Sequence, residues 1–136
     1  FYFSICDNEG NCKIAFRDYK KQITEMLNSN INPVNASNTQ PHLTLHNQQK
    51  VMYFVSDRKG GFGGMDIWLS IIDKQGNFGV PINAGKMINT PADEITPFFS
   101  KEESVLYFSS NKKGGLGGFD IYKAEGKFNL WEKPIN

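Results

Sequence analysis

No run in this 136-residue chain approaches the ~20 apolar residues that a membrane-crossing helix needs. Nor does a basic start lead into an apolar segment of the secretory-leader kind. Neither sign of charge dominates: 15 Lys and Arg stand against 14 Asp and Glu, a net charge of +1, with acids and bases interspersed. A surface so mixed carries no footprint for nucleic acid or an anionic membrane, and neither is expected as a partner. Histidine and cysteine are scarce, at two each. Cys6 and Cys12 would need two more ligands to hold zinc, and His42 and His46 lie outside the spacing of Cys/His modules, so no metal site is expected. Catalysis has as little to work with. Ser56-Asp57 and Ser109-Ser110 would need a nearby imidazole, the only histidines belong to another strand and its turn, and no Gly-x-Ser-x-Gly elbow occurs. Neither an enzyme nor a cofactor is expected.

What is present is a repeat. Lys59-Gly60-Gly61-Phe62-Gly63-Gly64-Met65-Asp66-Ile67-Trp68 returns as Lys113-Gly114-Gly115-Leu116-Gly117-Gly118-Phe119-Asp120-Ile121-Tyr122. Val51-Met52-Tyr53-Phe54-Val55-Ser56 precedes the first copy and Val105-Leu106-Tyr107-Phe108-Ser109-Ser110 the second. Val51 and Val105 are the same 54 residues apart as Asp66 and Asp120. A period near 50 residues filled with short strands belongs to propellers or arrays, whose units bury their faces only by stacking on neighbours.

Each unit reads as four strands. Pro41-His42-Leu43-Thr44-Leu45 matches Pro97-Phe98-Phe99-Ser100 as the first strand, and the Val51 and Val105 runs, β-branched and aromatic, are the buried second. Asp66–Ile71 and Asp120–Ala124 follow the glycine loops as third strands. Phe78–Asn83 and Leu130–Asn136 are expected as fourth, edge strands, where Pro81 and Pro134 break no ladder. Phe1-Tyr2-Phe3-Ser4 matches Leu106-Tyr107-Phe108-Ser109, so the chain is expected to enter in the middle of a unit, as a fragment of a longer repeat. A loop, Asp7-Asn8-Glu9-Gly10-Asn11, then sets Cys6 opposite Cys12 on paired strands, placed either for a disulfide or as two thiols. In Lys20–Leu27, Ile23, Met26 and Leu27 also fit helical spacing, but a blade-forming repeat wants a short outer strand there, and that is expected. Asn28–Gln40 is a polar connection in which Ile31-Asn32 holds the place that Ile88-Asn89 holds further on. The expected fold is therefore all-β, a partial β-propeller of four-stranded antiparallel blades. Residues 1–40 give an incomplete first blade and connection, 41–94 a second blade and 95–136 a third.

The glycine loops lack a following helix and a Gly-Lys-Ser/Thr ending, so they are expected to serve the strand-to-strand turn rather than a phosphate. Gly60, Gly61, Gly63 and Gly64, with Gly114, Gly115, Gly117 and Gly118, would supply positive φ and close backbone approach. Asp66 and Asp120 recur directly after the loops. With Asp57 or Asn111 they offer too few oxygens for Ca²⁺, and each is expected to accept loop N–H bonds and lock its hairpin. Asp93-Glu94 and Glu102-Glu103 are expected in solvated turns. Trp68 and Tyr122 are expected in packing between blades, and Trp131 on its edge strand as a partner contact or part of a sugar platform.

Pro-Phe-Phe-Ser (97–100), Leu-Tyr-Phe-Ser-Ser-Asn (106–111), Gly-Gly-Leu-Gly-Gly-Phe-Asp-Ile-Tyr (114–122) and Trp-x-x-Pro-Ile-Asn (131–136) resemble the WD-like propeller repeat of TolB-type proteins. The form they resemble most is that of Bacteroidota envelope proteins with a C-terminal OmpA-like peptidoglycan-binding domain. The likeness covers residues 41–136 strongly and 1–40 weakly, since the Cys6–Cys12 hairpin replaces a glycine loop. It implies a scaffold on the periplasmic face of the outer membrane, with envelope proteins as partners. It also implies attachment to peptidoglycan through a domain not in this chain, and in some members a place in gliding or type IX secretion machinery. Alternatives are a propeller accessory to a peptidase or glycan-acting hydrolase, and a glycan-binding module.

Overall fold

The computed structural model describes all 136 residues and contains eleven β-strands and no helix. They are β1 (Tyr2–Cys6), β2 (Cys12–Asp18), β3 (Ile23–Met26), β4 (Asn38–His46), β5 (Gln49–Ser56), β6 (Asp66–Ile72), β7 (Ile82–Asn83), β8 (Glu94–Ser100), β9 (Val105–Ser110), β10 (Asp120–Lys127) and β11 (Leu130–Trp131). Three antiparallel sheets result: sheet A, order β1-β2-β3; sheet B, order β4-β5-β6-β7; and sheet C, order β8-β9-β10-β11. None closes on itself.

Sheet B lies between the other two, and the alternation of side chains along its strands builds both interfaces. Tyr53, Val55, Ile67 and Leu69 face sheet C, where they pack with Phe99, Leu106, Phe108 and Trp131. Met52, Phe54, Trp68 and Ile72 face sheet A and pack with Ile14 and Ile31. A strand buried on both faces has no polar side to show, which is why Val51–Val55 reads as an unbroken apolar run.

The first strands begin earlier than the prolines suggest. β4 starts at Asn38 and β8 at Glu94, so Glu94 belongs to the third unit and not to the end of the second. Pro41 and Pro97 sit inside their strands at bulges, where the register slips between Thr39 and His42 and between Ile95 and Phe98. The residues before them, Gln40 and Thr96, carry positive φ of 52° and 54°. The bulges also link neighbouring sheets: the Gln40 amide donates to Ser4 Oγ at 3.0 Å, and the Thr96 amide donates to Gln40 Oε1 at 2.7 Å.

The fourth strands are shorter than their sequences suggest. β7 and β11 span two residues each, while Phe78 and Ile135 join through single bridges to Ile72 and Lys123. Ala84 and Ile135 turn their N–H groups toward the neighbouring strand, so Pro81 and Pro134 hold outward-facing positions where a missing N–H breaks no ladder.

Candidate functional site

The recurring loop is held by its own aspartate. Asp66, fully buried, accepts bonds from the N–H groups of Phe62 (2.6 Å) and Gly63 (3.2 Å) and from Asn83 Nδ2 (2.9 Å). Asp120 accepts from Leu116 (2.8 Å) and Gly117 (3.3 Å). Gly60 and Gly114 take the positive φ, 92° and 93°, that the turn needs. Asp66 uses both oxygens and Asp120 its Oδ2 alone, and each carboxylate locks its hairpin.

A second device was visible in the sequence as a recurrence, but not as a role. The side-chain amide of Asn89 clamps the backbone of Ile67, accepting its N–H at 2.8 Å and donating to its carbonyl at 2.8 Å. Asn32 does the same to Ile14, at 2.9 and 2.8 Å. Each amide oxygen supplies the acceptor that the outer strand does not, while the carbonyl also accepts the N–H of Ala84 or Leu27 at 3.0 Å. Four or five residues further on, a side-chain oxygen takes the amide two residues before the isoleucine: Asp93 Oδ1 from Met65 (2.8 Å) and Ser37 Oγ from Cys12 (2.9 Å). The connector that leads into the next sheet thereby closes the edge of the sheet it leaves.

Arg58 completes the junction between sheets A and B. Its guanidinium lies over Phe54 and Trp68, 4.9 and 5.3 Å from their ring centres, and donates to the carbonyls of Asn30 and Ile31 and to Asn38 Oδ1. Burial lowers its pKa to about 10 against the opposing pull of Asp57. Lys112 stands in the same place in sheet C, with its ammonium 3.8 Å from the Tyr122 ring centre. The sequence signal was a basic residue two positions beyond Ser56 and Ser110.

Other expected site residues are placed as follows. Cys6 and Cys12 face each other across the β1–β2 pair and are disulfide-bonded, with Cα atoms 4.0 Å apart. Asp57 accepts from the Ser37 amide and Asn111 from the Asp93 amide, so both brace connectors rather than join Asp66 or Asp120. Glu94 is buried and not in a solvated turn; it accepts from Thr90 N, Thr90 Oγ1 and Ser110 Oγ at 2.6–2.7 Å.

Trp131 corrects the expectation of an exposed contact residue. β11 is an edge strand, but its alternation leaves Leu130 73% exposed and turns Trp131, 8% exposed, inward among Tyr53 and Phe99. Its Nε1 donates to the Phe128 carbonyl at 3.1 Å. Gly126 admits the ring, since a Cβ there would strike the Trp131 backbone and indole.

The two histidines serve packing. His46 bonds the Tyr53 hydroxyl at 2.9 Å and lies between Phe99 and Phe128, and burial, then nearby Lys127, lowers its pKa. Burial lowers that of His42 as well, against a bond to the Phe99 carbonyl. Comparison with protein-family models, with curated proteins and with solved structures gave no match.

Proposed function

We propose that this chain is a non-enzymatic interaction module, an arc of a β-propeller built from repeated sheets and serving as a scaffold in a bacterial envelope. One observation carries the reading: the polar groups that recur from unit to unit are engaged on the protein's own backbone. Asp66, Asp120, Asn32 and Asn89 all fix loops or connectors. A residue type repeated to hold each sheet serves the architecture, and an architecture of stacked units offers surface to partners. The Cys6–Cys12 bond supports an oxidising compartment. The resemblance to TolB-type repeats gives that compartment its proposed identity, the periplasmic face of the outer membrane in a Bacteroidota-like cell, with envelope proteins as partners and peptidoglycan reached through another domain.

The test is chemical cross-linking and affinity capture from fractionated envelope, with hydrolase assays on the same purified protein. The expected result is a defined envelope partner and no turnover. Turnover of a peptide or glycan substrate with no partner recovered would replace the scaffold with the hydrolase-accessory reading. The glycan platform centred on Trp131 loses its support, because that ring is buried.

A further inference from the structure

Sheet C repeats an edge that sheets A and B have already closed. Lys123 exchanges both main-chain bonds with Ile135, at 2.8 and 2.9 Å. Ile121, two residues earlier on the same strand, therefore turns its own N–H and C=O to the same side. In sheet A the corresponding groups of Ile14 are clamped by Asn32, and in sheet B those of Ile67 by Asn89. Phe119 stands where Cys12 and Met65 give their amides to Ser37 and Asp93. Ile14 and Ile67 are completely buried; Ile121 is 68% exposed.

The glycines point the same way. A Cβ on Gly63 would collide with the backbone of Thr90, Pro91 and Ala92, so that glycine exists for the connector lying across it. Gly117 holds the same place in sheet C, and nothing lies within 4 Å of its Cβ position.

We infer that the edge of sheet C at Phe119 and Ile121 is a docking site for a connector of this repeat. The occupant is an extended segment carrying Ile-Asn, then an Asp or Ser four or five residues on, and leading into a further antiparallel sheet. The asparagine amide pairs with Ile121, the Asp or Ser oxygen takes the Phe119 amide, and the segment crosses Gly117. Tyr107, Ser109 and Lys123 stand where sheet B presents Tyr53, Val55 and Leu69 to its neighbour, so the incoming sheet meets a more polar face and sets an acid or amide near Lys123. The inference deepens the scaffold reading, on which it rests for the stacking of such sheets.

The test is a tandem protein in which residues 84–136 are repeated after Asn136, since Asn136 matches Asn83 in sequence. A second version repeats only residues 84–96. Hydrogen exchange at Phe119 and Ile121 is compared with the parent chain. Slowing on the order of 100-fold is expected in the full tandem, lost when the appended copy of Asn89 is changed to Ala. Asparagine-dependent slowing in either version supports the site. Parent-like exchange in both overturns it, whether or not the appended residues fold. The measurement uses pure protein, so its failure is separable from failure to find an envelope partner.

Discussion

Gly63 and Gly117 occupy the same place in two copies of one loop, and only Gly63 is crowded by neighbouring backbone. The two positions therefore separate what the turn needs from what the connector needs. Gly63→Ala is expected to destabilise the protein by about 1–3 kcal/mol, because backbone has to move to admit the methyl group. Gly117→Ala is expected to be neutral within about 0.5 kcal/mol. Chemical denaturation of the two variants side by side checks this, and equal losses would mean that the turn itself demands glycine at both sites.

Asn89→Ala orphans the N–H of buried Ile67, whose carbonyl keeps the bond from the Ala84 N–H. Leaving a buried backbone group without a partner costs roughly 1–3 kcal/mol. Asn89→Asp keeps an acceptor for the Ile67 N–H but sets a buried carboxylate oxygen against the Ile67 carbonyl and Asn83 Oδ1, so its loss should be the larger of the two. Amide exchange at Ile67 reads the effect locally, and an unchanged rate in Asn89→Ala would show the clamp to be idle.

Trp131→Ala removes a ring packed on Tyr53 and Phe99 and is expected to cost about 3–5 kcal/mol, with a fall in melting temperature. Leu130→Ala, one residue away and exposed, should cost little. If the two variants melt alike, the indole is not part of the core.

His46 and His42 bind protons less readily in the folded chain than in the unfolded one, because burial lowers both pKa values below 6.5. Their contribution to stability is fully present above about pH 6.5 and is lost as pH falls from there toward their folded values. Thermal melts at pH 7.5 and pH 5 should show the drop, and His46→Gln should reduce it. A profile identical in the variant would assign the acid sensitivity elsewhere.

Reduction of the Cys6–Cys12 bond frees a short loop and is expected to cost about 2 kcal/mol. The loss should fall on sheet A, visible as faster exchange in β1 and β2 with β9 and β10 unchanged. Uniform loosening of all three sheets would show that sheet A sets the stability of the whole.

The antiparallel four-stranded units were legible because repetition doubles every signal: Val51–Ser56 and Val105–Ser110 read as the same strand twice. The roles of Asp66 and Asp120 followed from their position after a glycine loop. Three kinds of feature stayed hidden. Pro41 and Pro97 look like strand starts in sequence, since bulges and positive φ at Gln40 and Thr96 leave no residue-type mark. The facing of Trp131 and the burial of Glu94 depend on which side of a sheet is covered, and that is decided by a neighbouring unit rather than by local composition. Asn32 and Asn89 were seen to correspond, but an amide standing in for a strand has the composition of an ordinary loop.

The closing of sheets A and B by the connector after each gives the molecule a direction in time. During synthesis the β6 edge is made some 20 residues before Asn89, which completes it. Sheets A and B must therefore wait, unfinished, for the connector after each to leave the ribosome, and the nascent chain sets from its N-terminal end with a lag of about one connector.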